Sequence, residues 1–178
     1  GHLIYQVTFP LENKTFCYDF STGEWHTRSY QGGRSLVAGY GFFNGKHIVG
    51  DYRNSNFYTL DTNTFTDNDK VVMRERQVYV GDAEQKLMRV KRVEIESRPG
   101  AGVTGGGDPQ LMLKWSDDMA KTFSNEQPRG VGKLGEYNAR TIWNRGGSTR
   151  GRVYNLKTSG AVDYVITRAT MDVEVARQ

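Results

Sequence analysis

The chain has 178 residues, 37% hydrophobic and 25% charged, and a formal net charge of +4. It is long enough for one sizeable domain or two small ones and can bury a core. Its single cysteine, Cys17, excludes an intramolecular disulfide; no apolar run approaches the roughly 18 residues of a spanning helix, so no membrane contact is expected.

Gly1-His2 reads as the remnant of a removed tag, which predicts a start inside a longer protein, and the residues after it do not form a signal peptide. From there the hydrophobic period is two. Tyr5, Val7 and Phe9 share one face of a first strand, and Phe16, Tyr18 and Phe20 share one face of a second. Ser21-Thr22-Gly23-Glu24 turns, and Trp25 opens a third strand. Leu36–Phe43 is the next strand; Asn44-Gly45 is the strongest hairpin dipeptide of the sequence, and His47–Tyr52 returns from it. Asn54-Ser55-Asn56 and Thr62-Asn63-Thr64 turn on either side of Phe57–Asp61, and Phe65 packs after them. Cys17 falls inside a strand and is expected as a small buried hydrophobe.

This first third contains an echo. A strand ending in Asp (Tyr18-Asp19, then Leu60-Asp61) is followed by a polar turn and an aromatic (Trp25, then Phe65). The echo recurs after about 40 residues, the period of a propeller blade. Residues 3–80 are therefore expected as a β-meander resembling the last blades of a β-propeller, since two blades cannot close a ring.

Residues 81–178 are expected to form an antiparallel β-sandwich. Val71–Val80 is a long strand leading into it. In Gln85–Glu96, Met88 and Val90 are out of phase with Val93 and Ile95, which predicts a bulge near Lys91-Arg92. The glycine-rich run from Arg98 to Pro109 is expected as a loop. Leu111, Leu113 and Trp115 alternate in the next strand, and Ala139–Trp143, Arg152–Thr158 and Val162–Thr167 continue the pattern. Met171, Val173 and Val175 should face inward, with Asp172, Glu174 and Ala176 outward. No segment carries a helical stripe, so the fold class is all-β.

The sharpest motif is Ser116–Phe123, which resembles the Asp-box, Ser-x-Asp-x-Gly-x-Thr-Trp/Phe. Its structural residues here are Ser116, Asp118, Thr122 and Phe123, with Ala120 where glycine is usual. The motif is an Asx-type turn lock. Asp-boxes also decorate sialidase propellers, so a carbohydrate-binding or glycosidase-like protein is the alternative reading. Asp117 and Asp118 are poorly placed as a catalytic pair, because neighbours on a strand point to opposite faces. Asp67-Asn68-Asp69 lacks the remaining ligands of a calcium loop. Gly130-Val131-Gly132-Lys133-Leu134 lacks the rest of a phosphate loop, and His2, His26 and His47 do not cluster. No catalytic, cofactor-binding or metal-ligating residue is singled out, and no enzyme activity or cofactor is expected.

Basic residues gather loosely: Lys86, Arg89, Lys91 and Arg92 on one strand, and Arg140, Arg145, Arg150 and Arg152 around Trp143. They could touch a phosphate backbone, or they could protect strand edges by charge. Edge protection is favoured, since no dense basic run exists. Trp25, Trp115 and Trp143 lie in alternating patterns and are expected in the core rather than as sugar platforms.

Several segments in order resemble one family. They are Phe16–His26, Ile48–Asn54, Tyr58–Asp61, Leu113–Asp118, Lys133–Arg140, and Trp143 with Arg150–Val153. Together they resemble the C-terminal part of the packaged-DNA stabilisation proteins, the tail hub or nozzle proteins of short-tailed phages. Met119-Ala120 and Phe123 stand where those proteins usually read Gly-Gly and Trp. The resemblance implies a hexamer below the portal that extends the tail channel, retains packaged DNA and takes part in its ejection. It also implies a propeller with a β-sandwich, portal adaptor, tail needle or spike proteins as partners, and transient contact with packaged DNA. The place implied is the virion tail, after assembly in the cytoplasm of the bacterial host.

Overall fold

A computed structural model describes residues 2–81, 84, 86–98, 109–132, 140–158 and 160–176. Most of the glycine-rich run and most of Lys133–Arg140 lie outside the described residues. Among the described residues every regular element is a strand. The chain divides into two compact units, 1–67 and 68–178.

The first unit holds β1 (Ile4–Phe9), β2 (Lys14–Asp19), β3 (Glu24–Thr27), β4 (Ser29–Tyr30), β5 (Gly33–Arg34), β6 (Val37–Phe43), β7 (Lys46–Asp51), β8 (Phe57–Leu60) and β9 (Thr66–Asp67). Two antiparallel sheets, β1-β2-β3 and β6-β7-β8, dominate it. The Asn44-Gly45 turn has both residues at positive φ (48° and 73°), the twist that a two-residue hairpin needs.

The second and third strands of the two sheets repeat each other at one constant sequence offset. Cys17 and Val49 are buried at the centre of the middle strands β2 and β7. Asp19 and Asp51 end those strands, are buried, and each accepts the amide N–H two residues on, at 2.8 Å. Trp25 lies opposite Tyr18, and Phe57 lies opposite Gly50. The counterpart of Asp19 in the sheets is thus Asp51, whereas the echo in the sequence pointed to Asp61. Asp61 misled because it makes the same turn, accepting from the Asn63 amide at 3.0 Å.

The alternation expected in β1 and β2 is present, but the polar-looking side of β2 is the covered one. Thr15, Cys17 and Asp19 are buried, while Phe16 and Tyr18 are half-buried and Tyr5, Phe9 and Phe20 are exposed. Thr15 Oγ1 accepts from the Ser35 amide at 3.1 Å, and Asp19 accepts from the Ser21 amide, so loops close over that side. Trp25 belongs to the opposite face, beside Tyr18 at 5.2 Å, and is 59% exposed; its expected core position is corrected.

The second unit holds β10 (Lys70–Val71), β11 (Arg74–Gly81), β12 (Met88–Ser97), β13 (Gln110–Ser116), β14 (Gln127–Gly130), β15 (Arg140–Thr149), β16 (Gly151–Thr158) and β17 (Ile166–Val175). One sheet has the order β11-β16-β13-β14, the other β15-β12-β17. Arg74–Gly81, assigned from sequence to the meander, pairs along its whole length with β16, so the units divide ahead of the expected boundary at 80/81. Leu111, Leu113 and Tyr154 from the first sheet meet Ile95 and Trp143 from the second, with Val131 beside them. Full burial of Leu111, Leu113 and Ile95 contributes about 1.5–3 kcal/mol each. The Trp143 indole N–H donates to the Gln127 carbonyl at 2.9 Å, so its polar edge is satisfied inside the core.

The expected bulge is at Lys91. Register shifts between Val90 and Arg92 against both β15 and β17. The shift puts Met88 and Val90 back in step with Ile95, and all three are buried. On β15, Arg145 (φ 61°) is the irregular residue, and Gly146 lies so close to Val90 that an added Cβ would sit 2.8 Å from its methyl. In β17 only Met171 packs on the core cluster; Val173 and Val175 are 40% and 43% exposed, because β17 is an edge strand.

Candidate functional site

Ser116, Asp118 and Thr122 are brought into one turn leaving β13. The Ser116 hydroxyl donates to Asp118 Oδ1 at 2.6 Å and accepts from the Ala120 amide at 2.9 Å. Asp118 also accepts from the amides of Lys121 (3.0 Å) and Thr122 (2.9 Å) and from the Thr122 hydroxyl (2.6 Å). The turn closes where the Ser124 amide donates to the Trp115 carbonyl at 2.8 Å. Phe123 is half-buried, with the Lys114 ammonium 5.1 Å from its ring centre. Hydrogen bonds from Ser116 and then Thr122 hold the Asp118 carboxyl well below the usual carboxylate range. A carboxylate so fully engaged stays ionised and has no proton to donate.

Asp117 turns the other way. Its two oxygens accept from Arg152 Nε (2.6 Å) and Nη2 (2.8 Å) in a bidentate pair. Those bonds lower the Asp117 pKa against the opposing effect of burial. Arg152 is 3% exposed, also donates to the Gly146 carbonyl, and lies 5.3 Å from the Trp115 ring centre. The two neighbouring acids serve separate structural networks and do not converge.

The loose basic group separates into different roles. Arg152 is buried, and Arg140 and Arg92 both reach Glu94, at 3.2 and 3.1 Å. Glu94 is 4% exposed although it faces away from the core, beneath those two guanidinium groups. Arg92 also pairs with Asp172 at 3.0 Å and Lys91 with Glu174 at 3.1 Å. These pairs lace the outer face of the central strand β12 to its neighbours β15 and β17. Sequence reading missed both the Arg152–Asp117 pair and the burial of Glu94. The available signal for Glu94 was its place between Val93 and Ile95, which fixes an acid on the outward side of a central strand.

No group of three or more His, Cys, Asp or Glu residues able to hold a metal occurs among the described residues. The His47 ring lies 2.7 Å from the Tyr40 hydroxyl, and burial lowers the His26 pKa. Asn68 and Asp69 both have left-handed φ (47° and 62°), the geometry of a tight turn.

A family model described as Bacteriophage P22 Gp10, beta-sandwich matches residues 73–174, more than half of the chain and nearly the whole extent of the two packed sheets. A search of curated proteins finds no match. Two sheets closed over one core, with a turn and an outer face whose charges are tied to one another, suit a part built to be assembled, and the chain belongs to the bacteriophage P22 Gp10 β-sandwich family, structural proteins of the short-tailed phage tail that assemble with other virion proteins.

Proposed function

We propose that the protein forms part of a tail hub or nozzle that extends the portal channel, retains packaged DNA and takes part in its ejection. The supporting observation is the second unit's outer face, where Arg92, Arg140 and Lys91 are each matched to a carboxylate. A channel wall must not grip the duplex, and cations already neutralised by protein offer little counterion-releasing affinity. A rigid wall and closed subunit contacts serve this role. Residues 1–67, whose two larger sheets repeat their second and third strands at a constant offset, fit the reading as propeller-like terminal blades, and the Ser116–Asp118–Thr122–Phe123 turn fits it as a structural Asp-box. The assembly would be a hexamer contacting a portal adaptor and a tail needle or spike, with no catalytic step.

The test is genetic and physical. Phage carrying a stop codon in this gene should fill their heads and then lose DNA, and the purified full-length protein should form rings in the electron microscope. Mutant particles that keep their DNA, or strong salt-sensitive duplex binding by the protein, would refute the reading. A carbohydrate reading draws on exposed Trp25 beside Tyr18. A glycan array is expected to give no saturable binding, and a specific hit lost in Trp25→Ala would reverse the preference.

A further inference from the structure

The bulge region carries cations that the ion-pair lacing leaves out. An open groove of about 650 Å³ is lined by Arg89, Val90, Lys91, Arg145, Gly147 and Glu174. A second groove shares Arg89 and Glu174 and continues past Leu87, Ser148, Val175 and Ala176. Lys91 is paired with Glu174. Arg89 and Arg145 are exposed, and among the described residues neither guanidinium has a partner. Arg145 also holds a left-handed backbone (φ 61°) with glycine as its next two neighbours. The bulge could have placed glycine at that position without strain. Strain kept on a charged residue at the mouth of a groove points to use of the side chain.

We infer that this groove docks an extended segment of another tail protein, in which an acidic side chain meets Arg89 and Arg145 and an adjacent apolar one rests on Leu87 and Val175. Charge complementarity selects this occupant over nucleic acid. Glu174 lies in the groove, and Asp172 and Glu94 lie on the same sheet. A duplex, with one phosphate charge per roughly 1.7 Å, would have to approach these carboxylates, whereas a single carboxylate need only meet the two guanidinium groups that no described residue pairs. Apolar contact beside a charged anchor is the usual composition of a protein docking site. The inference stands apart from DNA retention and needs only a partner protein in the virion.

The test uses the whole 178-residue chain, labelled with nitrogen-15. It is titrated with the capped peptide Leu-Glu-Leu-Asp, with its neutral counterpart Leu-Gln-Leu-Asn, and with a short DNA duplex. The acidic peptide should shift the amides of Arg89, Gly147 and Val175 saturably, and its affinity should fall about tenfold in Arg89→Gln and in Arg145→Gly. Equal binding of the neutral peptide, no saturation, or tighter binding of the duplex at the same amides would overturn the inference. Arg145→Gly should at the same time raise the melting temperature by removing strain. A fall in melting temperature would show that Arg145 is kept for folding and would also overturn it.

Discussion

Met119 and Ala120 show how much local strain a good set of hydrogen bonds can hold. Both have left-handed φ (59° and 67°), and the amides that follow are pinned by Asp118. A left-handed conformation costs a non-glycine residue about 1–2 kcal/mol, and glycine's extra chain entropy returns part of that. Ala120→Gly is therefore expected to stabilise the second unit by about 0.5–1 kcal/mol, read from the guanidinium unfolding midpoint. The same turn sets an acid sensitivity. Asp117 and Asp118 titrate lower in the folded chain than their ordinary value of 3.8. The unfolded chain thus takes up protons first as pH drops, so their stabilisation is complete above about pH 4 and is withdrawn as pH falls toward the depressed folded values. Calorimetry from pH 7 down to pH 2 should show a melting temperature that drops below pH 4, with a shallower drop in Asp118→Asn.

At the scale of elements, the bulge on β12 decides which side chains are inside. Deleting Lys91 would restore an unbroken alternation in which Met88, Val90, Val93 and Ile95 share one face without a bulge. The deletion is therefore expected to keep cooperative unfolding, and Lys91→Ala should stay within about 0.5 kcal/mol of the parent; near-ultraviolet circular dichroism and thermal melts check both, and lost cooperativity in the deletion would show that the irregular pairing with β15 and β17 is itself required. This feature was legible in the sequence because two apolar pairs out of phase have one simple remedy. The faces of β2 were not. Counting aromatics favours Phe16 and Tyr18 as the inner side, but hydrogen bonds from the Ser35 and Ser21 amides to Thr15 and Asp19 draw loops over the other face. The repeat was seen with the wrong spacing, since Asp51 and Asp61 make the same kind of turn and only strand pairing shows which is the counterpart of Asp19. The Arg152–Asp117 pair escaped notice because the two residues are far apart in sequence and arginine is seldom buried.

At the scale of the molecule, the two units differ in how much core each owns. The first buries only Cys17, Leu36 and Val49 among its described hydrophobics, while Tyr40, Phe42, Phe43 and Phe57 are exposed. The second closes two sheets over a shared cluster. Residues 68–178 alone are therefore expected to unfold cooperatively, and residues 1–67 alone to give no sharp thermal transition by circular dichroism. A sharp transition from the shorter piece would show that sheet hydrogen bonding holds it without a large core.

The placement of the three tryptophans also makes the protein its own spectrometer. Trp25 meets water in one unit, while Trp143 is sealed in the other with Trp115 packed against the same cluster. Iodide should silence the first emitter and spare the buried one, leaving a blue-shifted signal that belongs to the sandwich alone. Heating in the presence and absence of quencher then separates the loosening of each half without any dye, label or truncation.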